Sequence, residues 1–127
     1  MNDSRSASEE RAKVLRDLIT RRVPVAEASA ALARFGWDSD DELVTLTRAD
    51  VLRVLRDYAG GRLTAEDIAR WAEALEGRED VGREAGFDEP LTEFLFEAAT
   101  PEVAGPLTPE SAQRWAALLG GETAERP

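Results

Sequence analysis

Apolar side chains recur at intervals of three and four residues along most of this chain, and this spacing constrains its fold more than any other feature. Alternation of apolar and polar residues, which predicts a half-buried strand, is nowhere sustained over more than a few positions. In a helix, the three-and-four spacing gathers the apolar side chains on one face. The sequence therefore predicts an all-α fold, a single compact bundle of about six helices.

The starts of several helices are marked by capping residues. Thr47 and Thr64 each precede an aspartate by three residues, and this spacing predicts two capping boxes with aspartate in place of the usual glutamate or glutamine. Thr108 followed by Pro109 predicts the start of a further helix. Each of these three helices is expected to end at a glycine, namely Gly60, Gly77 and Gly120 respectively.

Two more helices are predicted in the first third of the chain. One begins at the cap Ser8 and runs to Arg21, and the next opens at Pro24 and ends at Gly36. Asp38 is then expected to cap a short helical turn. The side chains that this turn directs inward are Leu43, Val44 and Leu46.

Residues 78–87 are rich in charge and contain two glycines, and this composition predicts a loop. A helix then starts at Asp88 with Pro90 and stops at Thr100, before Pro101. The side chains predicted to be buried by the helices are Val14, Leu15, Leu18, Ile19, Val25, Ala28, Leu32, Phe35, Val51, Leu52, Leu55, Tyr58, Ile68, Trp71, Ala72, Leu75, Leu91, Phe94, Leu95, Ala98, Ala112, Trp115, Ala116 and Leu119.

The domain is expected to span residues 8–119, between disordered tails at residues 1–7 and 120–127 that hold few large apolar groups.

One pattern of residues occurs twice in the chain, 44 positions apart, and we call it the sequence echo. The segment from Leu63 to Leu75 matches the segment from Leu107 to Leu119. Two explanations stay open. The echo records a duplicated helical hairpin, or two amphipathic helices with the same cap and tryptophan spacing have converged.

The chain contains no histidine and no cysteine. A disulfide framework, a thiolate nucleophile, an imidazole base and a zinc finger are therefore excluded. No glycine-rich phosphate loop with a lysine and no Gly-x-Ser-x-Gly turn is present. We therefore expect a protein without catalytic residues and without a cofactor.

Carboxylates are the remaining candidates for a metal site. The run from Asp38 to Glu42 resembles the start of a calcium loop, but Leu43 replaces its glycine and Ala49 its bidentate glutamate. We therefore predict no metal ligands. The alternatives are an oxygen-only magnesium or calcium site around Glu76, Glu79, Asp80 and Glu84, and a small carboxylate enzyme that uses magnesium.

No basic start followed by an apolar run marks a signal peptide, and no stretch approaches the roughly 18 apolar residues of a membrane span. The expected compartment is the cytoplasm, with no membrane partner.

Charge is strongly asymmetric along the chain. The whole chain has a net charge of −10, whereas residues 1–35 hold seven basic and five acidic side chains. The negative charge is concentrated in two acidic segments, residues 36–50 and residues 76–93. Such a surface repels nucleic acid and speeds the capture of a basic partner. The alternative is that the acidic side chains serve solubility alone.

Trp37 lies outside any regular apolar period and precedes the first acidic run. If Trp37 is exposed, it is expected to be an interface hot spot. The alternative is that Trp37 packs at the junction between the second and third predicted helices. The predicted partner-binding set combines this tryptophan with both acidic segments and consists of Trp37, Asp38, Asp40, Asp41, Glu42, Glu76, Glu79, Asp80, Glu84, Asp88 and Glu89.

Residues 52–71 form a predicted helix, then Gly61, then the sequence Leu63-Thr64-Ala-Glu66, then a second helix with Trp71. This arrangement resembles small bacterial immunity proteins of the colicin D immunity type. The resemblance implies an acidic all-helical protein that binds and neutralises a cognate nuclease toxin, in part by imitating the RNA substrate of that toxin. It assigns no toxin-contact residue to this chain.

Two functions of different classes follow. The first is a non-catalytic immunity or antitoxin-like inhibitor, a monomer or weak homodimer, whose acidic face covers a basic protein partner such as a nuclease toxin. The second is a regulatory or adaptor subunit that docks through an apolar groove between helices.

Overall fold

The computed structural model describes residues 3–35 and 39–120, with side chains from residue 7 onward. Within these ranges the chain forms seven α-helices, one short 3₁₀ turn at Ala33–Phe35 and two three-residue strands. The helices are α1 (Asp3–Ile19), α2 (Val25–Leu32), α3 (Arg48–Ala59), α4 (Ala65–Leu75), α5 (Asp88–Ala99), α6 (Pro101–Ala104) and α7 (Pro109–Leu119), and the strands are β1 (Val44–Leu46) and β2 (Val81–Arg83). The predicted all-α bundle is confirmed, with one small sheet added.

The capping residues act as the sequence predicts. The Thr64 hydroxyl accepts a hydrogen bond from the backbone of Asp67 at 3.0 Å, and the Asp67 carboxylate accepts one from the backbone of Thr64 at 2.9 Å. Thr47 and Asp50 form the same reciprocal pair at the start of α3. At α7, Ser111 completes the box with Thr108. A serine in that position satisfies the same two backbone donors as an acidic residue.

The ends of the first helix differ from the prediction. Ser8 is not a cap, because α1 begins at Asp3 and includes residues 3–7, which the sequence assigned to a tail. A polar turn needs no apolar contact when it extends a helix that is already nucleated. The helix ends at Ile19 rather than Arg21, and Arg21 has a left-handed φ of 58° that breaks the helix. Of the tail predicted at residues 120–127, only Gly120 is described.

The two strands correct two sequence predictions. Residues 44–46 form β1 instead of a helical turn, and residues 81–83 form β2 within the segment assigned to a loop. The strands pair in parallel, with Val44 opposite Val81 and Leu46 opposite Arg83. Val44 and Leu46 are buried, as predicted, but on a strand. Asp38, the predicted cap, lies outside the described residues.

The core forms where α4 packs on α5, α1 on α2, and α3 on α7. Trp71 is at its centre and is 1% exposed. Its indole nitrogen donates to the carbonyl oxygen of Leu18 at 3.0 Å and also reaches that of Ile19 at 3.3 Å, so it satisfies backbone acceptors at the end of α1. None of the described helices is long and apolar enough to cross a membrane.

Most of the predicted apolar faces are buried, with a few side chains at the margin of the core. Trp115 is only half-buried and packs edge-on against Phe94, with ring centroids 5.4 Å apart. Trp71 and Trp115 occupy equivalent positions in the sequence echo but differ in packing. The other predicted core side chains that are only partly buried are Val14, Val25, Phe35, Leu43, Leu52, Tyr58, Ala98 and Ala116.

Candidate partner-binding surface

The small parallel sheet brings the two acidic segments together. Because β1 and β2 run in the same direction, the residues that precede them also lie side by side. The backbone N–H of Leu43 donates to the carbonyl oxygen of Asp80 at 2.7 Å, and the N–H of Ser39 donates to the Glu79 carboxylate at 3.1 Å. Side chains about 40 positions apart in the sequence therefore become neighbours.

Four exposed carboxylates result from this pairing, and we call them the acidic patch. The Glu42 carboxylate lies directly over Gly82, where an added Cβ atom would collide with it. The Ser39 hydroxyl donates to the backbone carbonyl of Asp41 at 2.6 Å and orders the turn that carries the patch. Among residues 3–35 and 39–120, the structure records no salt bridge to any of the four carboxylates, which are Asp40, Asp41, Glu42 and Glu79.

A second group of carboxylates surrounds an open groove of about 870 Å³ at the start of α5. Asp88 and Glu89 belong to the first turn of that helix, where negative charge is favoured by the helix dipole. The aromatic ring of Phe96 also lines the groove and is 46% exposed. We call this feature the acidic groove, and its carboxylates are Glu76, Asp88, Glu89 and Glu93.

Asp80 is a correction to the predicted partner-binding set, because its side chain is fully buried. Arg78 donates to both carboxylate oxygens of Asp80, at 2.9 and 3.0 Å, and Arg11 of α1 donates to one of them at 2.7 Å. Burial opposes ionisation, but these hydrogen bonds outweigh it and hold the pKa of Asp80 below its usual value. Asp80 therefore ties α1 to the sheet and is not available to a partner.

Glu84 is a second correction, since its charge is already compensated. Its carboxylate accepts hydrogen bonds from the Arg48 side chain at 3.1 Å and from the Arg48 backbone N–H at 2.8 Å. These hydrogen bonds lower the pKa of Glu84. The Arg48 guanidinium also lies 4.0 Å from the ring centroid of Phe87. Glu84 thus fixes the start of α3 instead of offering free charge.

The remaining members of the predicted set divide in two. The structure places Asp40, Asp41 and Glu42 in the acidic patch together with Glu79, and Glu76, Asp88 and Glu89 in the acidic groove. Trp37 and Asp38 lie outside the described residues, so their predicted roles stay predictions.

Phe96 was missed by sequence reasoning, although a signal for it exists. The buried side chains of α5 are Leu91, Phe94 and Leu95, at helical spacing. Phe96 falls outside that apolar face, so a large aromatic residue at this position predicts exposure.

In the described part of the chain, no group of three or more carboxylates is arranged to hold a metal ion.

A different surface feature is an apolar groove of about 930 Å³ between α3 and α7. Leu52, Leu55 and Tyr58 line one wall, while small residues of α7, among them Ala112 and Ala116, line the other. The Tyr58 hydroxyl donates to the carbonyl oxygen of Leu107 at 3.3 Å and anchors α3 to the segment before α7. Arg56 contributes a guanidinium to the rim.

Comparisons with protein-family models, with curated proteins and with solved structures each found no match.

Proposed function

We propose that this protein is a non-catalytic inhibitor of the immunity or antitoxin type, which uses its acidic patch and acidic groove to cover a basic surface on a protein partner. The observation that supports this most is the parallel pairing of β1 with β2. It assembles Asp40, Asp41, Glu42 and Glu79 from two distant acidic segments.

The energetics of the patch favour a role outside the fold. Clustered like charges repel one another and cost stability, and no salt bridge offsets that cost among the described residues. The acidic side chains that do stabilise the fold, Asp80 and Glu84, are instead paired with arginines. Two populations of carboxylate therefore coexist, one that holds the structure together and one that is free for a partner.

A nuclease is the partner class that fits this surface. Its active site holds arginine and lysine side chains that contact RNA phosphates, and exposed carboxylates compete for the same cations. Phe96 adds an aromatic face at the rim of the acidic groove, on which a partner guanidinium can stack. Electrostatic steering would then give fast association at low salt.

The test begins with affinity capture of the partner from cells that produce this protein, followed by an assay of the captured partner for ribonuclease activity. The parent protein should inhibit that activity. The variant Asp40→Asn/Asp41→Asn/Glu79→Gln should associate about ten-fold more slowly in stopped flow at low salt, and the difference should shrink as salt screens the charges.

A matched control changes the same number of charges elsewhere. The variant Glu27→Gln/Glu97→Gln/Glu102→Gln removes three exposed carboxylates that belong to neither the patch nor the groove. It should associate at nearly the parent rate. Equal slowing of both variants would mean that only net charge matters, and a partner without nuclease activity would contradict the inhibitor proposal.

The second candidate function is a regulatory or adaptor subunit, and the apolar groove between α3 and α7 favours it. Ala117 lines that groove and is exposed, so Ala117→Arg obstructs the groove without disturbing the core. Loss of the captured partner in Ala117→Arg, together with normal binding by the charge-neutralised variant, would establish the adaptor function. Ala104→Arg, at an exposed position outside the groove, is the control.

A further inference from the structure

A pocket of about 640 Å³ lies where the turn between α1 and α2 meets the start of α4. Four guanidinium groups and one carboxylate, that of Asp67, belong to its lining. This is an unusual concentration of positive charge on a chain whose net charge is −10. The four basic residues, which we call the arginine pocket, are Arg21, Arg22, Arg62 and Arg70.

The backbone around this pocket is fixed by the core. The indole of Trp71 binds the last carbonyls of α1, and Arg21 then turns the chain with its left-handed φ of 58°. A non-glycine residue rarely adopts that conformation, so the surrounding contacts must hold it in place. Arg21 also reaches across to Asp57 of α3 at 3.2 Å.

Two of the carboxylates near the pocket each pair with two cations, whereas Arg70 pairs with two carboxylates, Glu66 at 3.1 Å and Asp67 at 3.7 Å. Asp57 pairs with both Arg21 and Arg62, each at 3.2 Å. Asp17 is 3.0 Å from Lys13 and 3.6 Å from Arg22. Five cations, the four arginines of the pocket and Lys13, therefore meet four carboxylates, and one net positive charge remains beside the pocket.

Three of the four arginines are also solvent-exposed. The exposed fractions of the Arg22, Arg62 and Arg70 side chains are 77%, 65% and 59%. Exposed ion pairs of this kind contribute at most about 1 kcal/mol to stability. A guanidinium can exchange such a pair for a two-point contact with a phosphate, which is stronger and geometrically matched.

We propose that the arginine pocket binds a small organic phosphate. The guanidinium groups would hold the phosphate oxygens, while Val23, Val25 and Leu63 form an apolar wall for the carbon part of the ligand. The volume is that of a small-molecule site and exceeds what a single phosphate ion fills. This site is separate from the acidic patch and does not depend on the proposed function.

Isothermal titration calorimetry with phenyl phosphate and with inorganic phosphate tests the proposal on the full chain. Phenyl phosphate should bind at a single site with a submillimolar Kd, and inorganic phosphate about ten-fold more weakly. Amide resonances of residues 21–23, of Val25 and of residues 63–67 should shift in nuclear magnetic resonance spectra. Equal affinity for both ligands would overturn the assignment to an organic ligand, and no saturation up to about 10 mM would overturn the site itself.

A pair of variants separates a built site from general charge attraction. Arg62→Gln/Arg70→Gln should weaken phenyl phosphate binding at least about ten-fold. Arg53→Gln/Arg56→Gln removes two exposed arginines of α3 that lie outside the pocket, and it should bind as the parent does. Equal weakening in both variants, or shifted resonances away from the two pocket segments, would contradict the proposal.

Discussion

A single buried carboxylate, that of Asp80, joins distant parts of the chain. It receives hydrogen bonds from Arg11, which lies 69 positions away, and from its near neighbour Arg78. Burial of charged side chains is costly, and the pairing of Asp80 with both arginines offsets that cost. Removing the negative member takes away the carboxylate that these two mostly buried guanidinium groups share.

We therefore expect Asp80→Asn to lower the free energy of unfolding by about 3–5 kcal/mol, as the loss of one partner from a buried ion pair does. Urea denaturation followed by circular dichroism measures this loss. The control is Asp40→Asn, the same chemical change at an exposed position of the acidic patch. It should leave stability unchanged or slightly higher, because it relieves repulsion. Equal stability of the two variants would contradict the structural role of Asp80.

The two tryptophans of the sequence echo should respond differently to truncation. Trp71→Ala should cost about 3–5 kcal/mol, because it empties a fully buried site and removes the indole donor to the carbonyls at the end of α1. Trp115→Ala should cost about half as much, since that ring is partly exposed and loses mainly its contact with Phe94. Thermal and urea melts of both variants provide the comparison. Equal losses would mean that Trp115 is as deeply buried as Trp71.

At the scale of single elements, the capping box of α4 offers a clean test. Thr64→Ala removes the hydroxyl that accepts from the backbone of Asp67, and we expect a loss of about 1 kcal/mol. Amide hydrogen exchange in the first turn of α4 should become faster. Thr64→Ser keeps the hydroxyl and should behave almost as the parent does. A parent-like melting temperature for Thr64→Ala would show that the cap contributes little.

The helices were predictable because their signals are local. A cap, an apolar face of three or four turns and a terminating glycine all fall within one short window, as they do from Thr64 to Gly77. The strands had no comparable signal. Three residues such as Val44–Leu46 are too few to show alternation, and their pairing partner lies 37 positions away.

The same distinction explains the outcome for the acidic residues. Charge along the sequence identified the acidic segments, and the exposed members Asp40, Asp41 and Glu79 follow from it. The burial of Asp80 could not be inferred, because it depends on Arg11 of a different helix. The pairing of Glu84 with Arg48 likewise depends on the end of β2 lying beside the start of α3. Tertiary contacts of this kind carry no local sequence signal.

At the scale of the whole molecule, the net charge of −10 should make stability depend on salt in a particular direction. Repulsion within the acidic patch and acidic groove acts through solvent and is screened by salt, whereas the buried contact between Arg78 and Asp80 is screened much less. Screening of exposed ion pairs such as Lys13 with Asp17 costs little stability, because these pairs contribute little to stability even at low salt. The melting temperature should therefore rise as sodium chloride increases from about 0.01 M to about 0.5 M.

The variant Asp40→Asn/Asp41→Asn/Glu79→Gln should melt at a higher temperature than the parent in low salt and should show a smaller rise with salt, because much of the repulsion has been removed. The control Glu27→Gln/Glu97→Gln/Glu102→Gln has the same net charge but keeps the acidic patch intact, so its salt dependence should stay closer to that of the parent. Scanning calorimetry of the three proteins across the salt series makes the comparison. A melting temperature that falls with salt would mean that attractive surface pairs outweigh the repulsion. If the melting temperatures of the two variants rise equally with salt, the acidic patch is no more repulsive than the rest of the surface.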